Sequence, residues 1–539
     1  MNTERNGYPK QDLIFAFCIT ACLLLQFWKA TIGFASSDET FYTVLGNRIL
    51  QGDALFYDIY DISQMMTVFI APFIALFRTI TGSLNGILLW MRQVYGVLNT
   101  LTGLLIYLRF RKKGYAAILV ALLFMVFTPF NVMALSYNTL NLFFVVWALL
   151  IMPEDQNSIW RMLLSGFLMA CAVLNSPFLI LLYALLVLAH FIDPKCVTTK
   201  ALLSITAGAL IAAGCFLAFV LSRASVSSIL ASLPHMMDTA HSSFVISIAK
   251  NIAKTILAFG ICSVLFLAEL VLLLIWYKKP DKHAFLTHFS LGCTVFSILY
   301  ITLLRPYDTV SGGHALVLLP VVFYELVLLV LDRPDDYILS FFITGLALSF
   351  ALFCSTNVGP SSTCGPLILC VMLFPLISNT KKEQWTVSFA VIAVLLVFKT
   401  VYLFGGTTSG NTMLCETGPY RGLYTSSKEL GTYQERLPEF EVLRDRKEPY
   451  LSIYSWSTWG YLVADKRIAD AYTYLYSYTA QDFLETQERI WPVTKKKVPC
   501  LLYVDDSTPY FIDLAGKQWL KQYELLYSFD KGSMYLSTH

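Results

Sequence analysis

Residues 12–34 read DLIFAFCITACLLLQFWKATIGF, and residues 35–42 continue as ASSDETFY. From Leu13 to Trp28 the first string carries no charge. About 20 such residues suffice to cross the hydrocarbon of a bilayer as a helix. The second string turns polar at once, with two adjacent carboxylates, Asp38 and Glu39. No small-residue cleavage site follows the apolar run, so it reads as a retained span and not as a removed signal.

The pattern repeats along the chain. Of 539 residues, 56% are hydrophobic and only 14% charged, with a mean hydropathy of +0.61. A soluble domain carries roughly 25% charged residues. Apolar stretches recur from Leu13 to Phe404 and then stop. The fold class expected is an α-helical polytopic membrane protein with about 13 transmembrane helices, counted from runs of spanning length. They lie near 12–34, 85–108, 115–133, 139–152, 161–175, 177–192, 201–222, 252–277, 284–304, 314–331, 338–355, 364–378 and 386–404. Asn175-Ser176-Pro177 marks either a turn or a kink.

Basic residues orient the spans, since Lys and Arg concentrate on the cytoplasmic side. Arg109, Arg111, Lys112 and Lys113 close the span from Asn85, and Lys278, Lys279 and Lys282 close the one ending at Trp276. Both ends are therefore expected inside. Asp38 and Arg111 fall on opposite sides only if Thr67 to Ile80 does not cross. That stretch is accordingly read as a juxtamembrane or re-entrant helix, and 35–84 as a first external loop. An odd number of spans then places residues 405–539 outside. There the composition shifts to Tyr, Glu, Lys and Asp, with strand-like runs at Leu451 to Trp456 and Cys500 to Val504. Helix-like stretches lie near Ala480 to Ile490 and Gly516 to Tyr523. The alternation predicts a small extracytoplasmic α/β C-terminal domain, behind a membrane module of residues 1–404.

Several function classes drop away. The net charge is +3 and the cations are scattered at helix ends, so no basic stripe suggests nucleic acid. The 12 cysteines lie mostly in apolar runs, with no CxxC or Cys/His metal spacing. Cys415 and Cys500 fall in the polar tail, either paired or as separate thiols. No Asn-x-Ser/Thr sequon occurs, consistent with a bacterial source.

Carboxylates beside hydrocarbon are costly unless solvated or paired, which makes Asp38 and Glu39 functional candidates. The loop continues with Phe41-Tyr42, then Gly46 to Asp53, then Tyr57-Asp58-Ile59-Tyr60-Asp61. Asp-Glu, an aromatic, an apolar helix ending in Gly-Asp and an aromatic-Asp segment resembles the first external loop of GT-C glycosyltransferases. The protein O-mannosyltransferase and lipid A aminoarabinose transferase branches are the most alike. Where those relatives often carry Lys-Pro, this chain has Gln64-Met65.

The resemblance implies transfer of a sugar from a polyprenyl-phosphate donor to a glycan, lipid or protein acceptor of the cell envelope, with membrane lipids around the site and inversion at the anomeric carbon. Asp38 matches the aspartate that serves as base. Glu39 matches the second residue of the motif and would position the acceptor or support Asp38. Tyr42, Asp58, Gln64 and Asn138 are expected to position substrate. The leaving phosphate needs cationic help, for which Arg305 and His314 are the candidates. Family members often have an acidic residue in the next external loop for metal or substrate. Here Ala134 to Thr139 carries Asn138 and no carboxylate, so at most a weakly bound divalent cation is expected. His235, Asp238 and His241 in the long loop before Lys250 suggest a lid more than a zinc site.

Two other readings compete. A polymerase or ligase of lipid-linked oligosaccharides would share the external arginines without needing Asp-Glu. A transporter or flippase would place charges near the bilayer midplane in repeated halves. The chain has few such groups (Glu269 and Glu325) and no internal repeat.

Overall fold

The computed structural model describes residues 8–34, 37–153, 157–195, 197–237, 244–304, 313–332, 335–355, 363–378, 380–403, 406–473, 501–505 and 523–537. Each of the thirteen stretches expected to cross contains helix. The order begins with α1 (Tyr8–Ala30), α2 (Ser37–Leu50), α3 (Thr67–Thr81), α4 (Ile87–Phe110), α5 (Tyr115–Val126), α6 (Tyr137–Ile151), α7 (Ile159–Asn175) and α8 (Ile180–Ile192). It continues with α9 (Thr199–Leu221), α10 (Val226–Met237), α11 (Phe244–Phe259), α12 (Ile261–Trp276), α13 (Pro280–Leu304), α14 (Leu318–Leu331) and α15 (Asp336–Ser355). Two single turns, α16 (Ile368–Val371) and α17 (Phe374–Ile377), precede α18 (Lys381–Val401).

Among the described residues seven helices are long and apolar enough to cross a membrane, and a bent pair makes an eighth if it is one span. Five further apolar helices are shorter. The chain is a multi-pass membrane protein. Two details differ from the simple count, and a third settles the turn or kink at 175–177 as a turn. The stretch read as one span at 252–277 is broken: α11 and α12 meet at 101°. Gly260 sits between them at φ +50°, a conformation that only glycine adopts without strain. At 175–177, Ser176 is extended between α7 and the turn that opens α8, so the helix ends there. Residues Gln64–Thr81, expected not to cross, are together long and apolar enough to do so, because a 3-10 turn at Gln64–Met66 leads into α3.

Helix α3 lies along α2, where Gly46 leaves room for it. A Cβ at Gly46 would come within 2.8 Å of Ile74 and 2.9 Å of Ile70. At its far end Arg78 donates to Asn47 at 3.0 Å and pairs with Asp465 of the C-terminal region at 2.5 Å.

The C-terminal region holds α19 (Ser427–Arg444), α20 (Gly460–Ala464) and a five-stranded mixed sheet. Numbering the short strands Tyr402–Leu403, Gly406–Thr407, Met413–Leu414 and Tyr424–Thr425 as β1 to β4, the sheet comprises β5 (Tyr450–Tyr454), β6 (Arg467–Ile468), β7 (Leu501–Asp505), β8 (Tyr523–Ser528) and β9 (Gly532–Ser537) in the order β6-β5-β7-β9-β8. β5 runs parallel to β6 and β7, with Leu451 opposite Leu501, and β9 is antiparallel to β7 and β8. Every residue of β7 is buried, as the apolar sequence of a central strand requires. The expected strands at 451–456 and 500–504 thus appear as β5 and β7. Tyr523, expected to end a helix, opens β8. The stretches 480–490 and 516–522, and Cys500, lie outside the described residues; Cys415 is buried, with Sγ against the Thr417 carbonyl.

The loop after α2 is bound into this sheet through Arg48, whose side chain is wholly buried. Its Nε donates to Asp53 at 2.8 Å and Nη1 to Thr473 Oγ1 at 3.0 Å, while Nη2 donates to the carbonyls of Asp58 (2.8 Å) and Asp470 (2.7 Å). Asp61 accepts from the Thr473 amide and hydroxyl at 3.1 and 3.0 Å. Tyr60 donates its amide to the Ala471 carbonyl at 2.8 Å and packs among Tyr454, Tyr472 and Leu502.

Removing one partner of a buried pair leaves a stranded charge and costs about 3–5 kcal/mol. Arg48→Met is expected to lower the unfolding free energy of the detergent-solubilised protein by such an amount, and its unfolding midpoint more than Arg48→Met/Asp53→Leu does. Burial pushes the Asp61 carboxyl up to about 6, against the pull of Arg48 and the Thr473 hydrogen bonds. The folded protein then holds a proton that the unfolded chain releases near pH 4, so stability falls as pH rises between about 4 and 6. Unfolding midpoints across that range should flatten in Asp61→Asn.

Candidate active site

Asp38 and Glu39 occupy the first turn of α2. Successive helical positions diverge by roughly 100°, so the two carboxylates face different surroundings. Glu39 points into the protein and is 2% exposed. Arg92, from the second turn of α4, grips it in a fork: Nε to Oε1 at 2.5 Å and Nη2 to Oε2 at 3.0 Å. The remaining Arg92 nitrogen donates to the carbonyls of Ala30, Ile32 and Gly33 at 3.0, 3.2 and 2.9 Å. These carbonyls lie at or just past the end of α1, where a helix leaves acceptors unsatisfied.

Asp38 is exposed to solvent. Among the described residues its carboxylate takes no hydrogen bond or ion pair. The protein packed around its other sides raises its carboxyl above the ordinary range by desolvation. One turn on, Tyr42 shares its face and meets Tyr137 edge to face at 6.2 Å. The Asp38 charge reaches Tyr137, which bonds its neighbour Asn138. Asp38, Tyr42 and Asn138 therefore gather where α2 meets the start of α6. Asn138 lines a small pocket with Pro129, Phe130, Leu142, Leu179 and Pro366.

Asp58 and Gln64 shape the loop. Asp58 Oδ2 accepts from the Ala54 amide at 2.8 Å, and the buried Gln64 Oε1 accepts from the Phe56 amide at 2.8 Å. Phe56 is held at φ +61°, a backbone state that a bulky residue keeps only under such constraint. His314 is buried between Phe127 and Phe398, and its Nε2 donates to the Thr128 carbonyl at 2.7 Å. Arg305 lies outside the described residues, as do Asp238, His241 and the side chain of His235.

The sequence reading passed over the cations that the fold assembles. A cavity of about 870 Å³ opens between the ends of α1 and α4 and the C-terminal helix α19. Lys29, Arg92, Lys428 and Arg436 line it, with Glu39, Glu429 and Asn131. Lys29 and Arg92 each interrupt an apolar run, and so does Lys399, which donates to the Met125 carbonyl and Thr128 Oγ1 at 3.1 Å each. Charges inside spans are rare and usually functional; that signal was available in the sequence. Among the described residues no three His, Cys, Asp or Glu converge as a metal site would require.

No family model matches the sequence, and no curated protein matches it. Solved structures do align. The crystal structure of ArnT from Cupriavidus metallidurans bound to undecaprenyl phosphate aligns over 96% of this chain and 97% of its own, at 12% identity and a TM-score of 0.45. The Archaeoglobus fulgidus oligosaccharyltransferase, tethered to an acceptor peptide containing the NVT sequon, covers 97% of this chain and 74% of its own, at 11% identity and 0.45. AglB from the same organism, with an inhibitory peptide and a dolichol-phosphate, covers 98% and 74%, at 13% identity and 0.41.

Glu39→Gln is expected to destabilise the protein by about 3–5 kcal/mol, since the buried Arg92 guanidinium loses its counter-charge. Thermal unfolding of Glu39→Gln, Arg92→Met and the double variant checks this. The double variant should lose less than the two single losses combined.

Proposed function

We propose that the chain is an inverting glycosyltransferase that moves a sugar from a polyprenyl-phosphate donor to an acceptor of the cell envelope, on the extracytoplasmic side, with Asp38 as general base. One observation carries this reading. Of the acidic residues in the first loop, Glu39, Asp53, Asp58 and Asp61 are buried and committed to Arg92, Arg48, Ala54 and Thr473. Asp38 alone is exposed, and without a described hydrogen-bond partner it has lone pairs to offer a substrate.

Its desolvation adds to the argument. A base works best with a pKa moved toward the operating pH, because it must be ionised before reaction and must hold the proton afterwards. The raised Asp38 carboxyl moves in that direction. The acceptor hydroxyl gives its proton to Asp38 as its oxygen bonds the anomeric carbon, and the polyprenyl phosphate leaves from the opposite face with the bonding pair. Tyr42 and Asn138, gathered beside Asp38, are suited to hold the sugar. The Asp-Glu loop resemblance and the plan of many helices followed by a C-terminal sheet domain support the same reading.

Asp38→Asn keeps the size and shape of the side chain and touches no described partner. It should insert, fold and melt like the parent, while transfer of labelled sugar from a polyprenyl-phosphate donor falls by about 100-fold or more. In the parent the rate should rise with pH as Asp38 ionises, from a midpoint above that of an ordinary aspartate. A variant that retains near-parental turnover would remove Asp38 from the chemistry.

A further inference from the structure

The 870 Å³ cavity between the helix bundle and the C-terminal domain has the size of a small-molecule site, and its charges do not balance. Four cations and two carboxylates line it. Glu39 is already committed to Arg92 and Glu429 to the Thr425 and Ser426 hydroxyls, while Arg436 is matched from behind by Asp505. Lys29 and Lys428 have no described carboxylate in ion-pair range. Lys29 is 3% exposed and spends one N–H on the Tyr402 carbonyl at 2.5 Å. Its close electrostatic neighbours are Arg92 and Lys399, both cations. Arg436 adds a buried Nε without a partner. Burying cations without counter-charge is costly, so the bundle side of this cavity is built to receive an anion.

The opposite wall is aromatic. Tyr433 packs against Trp459 with ring centroids 4.8 Å apart, and both line the cavity. Trp459 and Tyr433 are 8% and 3% exposed, so each offers the cavity a narrow aromatic surface beside the cations and amides, which suits a ring that is apolar on one face and hydroxylated at its edge. An acyl chain would need a continuous apolar groove instead. Asn131, also on the cavity wall, adopts the left-handed backbone that asparagine tolerates, at φ +56°, and its Nδ2 donates to the Phe398 and Tyr402 carbonyls.

We propose that this cavity binds an anionic saccharide, its phosphate or carboxylate at Lys29 and Lys428 and a sugar ring against Trp459. This binding does not rest on the glycosyl-transfer reading. Glu39 turns toward the cavity, and Asp38, the next residue back, turns toward the α6 side.

The test is calorimetric titration of the full-length protein in lipid nanodiscs with glucose 1-phosphate, glucuronate, glucose and inorganic phosphate. Both anionic sugars should bind tighter than glucose and tighter than phosphate. Charge-assisted hydrogen bonds are worth enough that Lys29→Gln should weaken binding about tenfold or more. Lys428→Gln, at an exposed position, should weaken it several-fold without altering the melting temperature. Asp38→Asn should bind as the parent does. Glucose matching the anionic sugars, inorganic phosphate matching them, or unchanged affinity in both lysine variants overturns the site. If transfer occurs while no anionic sugar binds, the site falls and the transfer reading stands.

Discussion

A buried guanidinium must find an acceptor for each of its donors, and Arg92 satisfies this by gathering three pieces of chain. It lies on α4, yet its partners are the Glu39 carboxylate of α2 and three carbonyls at the end of α1. Moving any of these by an ångström or two would strand a charge in a desolvated place. The exit of the first span and the first turn of the loop helix are thereby tied to the bundle, and Asp38 is carried to its position by its neighbour's ion pair. The carboxylate next to Asp38 in the sequence is thus the one that sets the geometry.

Arg48 does the same at the other end of α2. It joins Asp53 and the Asp58 carbonyl on the loop to Thr473 and the Asp470 carbonyl on the C-terminal region. With Arg92 at one end and Arg48 at the other, α2 is fixed to both halves of the molecule. The large cavity is bounded by the same two halves, so its shape is set by how α2 is clamped. This explains why so many acidic residues of the first loop are buried. They balance arginines and cap turns, and they leave Asp38 as the one exposed carboxylate of that loop.

Much of the fold was legible because a bilayer imposes a one-dimensional rule: a run of apolar residues of sufficient length becomes a helix, since lipid offers no partner for an open backbone. The helices up to Val401 follow from that rule, as does the change of character beyond them. What the rule could not supply was shape within a segment. The 101° bend at Gly260 depends on a single positive φ, and the strand at Tyr523 on pairing with β9. The Asp-Glu pair stood out because two charges beside hydrocarbon demand an explanation.

Composition, period and charge by themselves determined that the chain crosses a membrane many times, that a mixed region follows the last span, and that the first loop concentrates acidic groups. These are properties of neighbours in sequence, and hydropathy reads neighbours. Only the tertiary structure decided which carboxylate is clamped and which is open. Glu39 and Arg92 are 53 residues apart, and Arg48 and Thr473 are 425 apart. No local pattern carries such pairings, because an ion pair is selected by distance in space. The cluster of Lys29, Arg92, Lys428 and Arg436 around one cavity has the same origin. Lys29 and Arg92 look like isolated charges in apolar runs and Lys428 and Arg436 like members of a mixed-charge helix, and only the packing of α1, α4 and α19 brings them to one cavity.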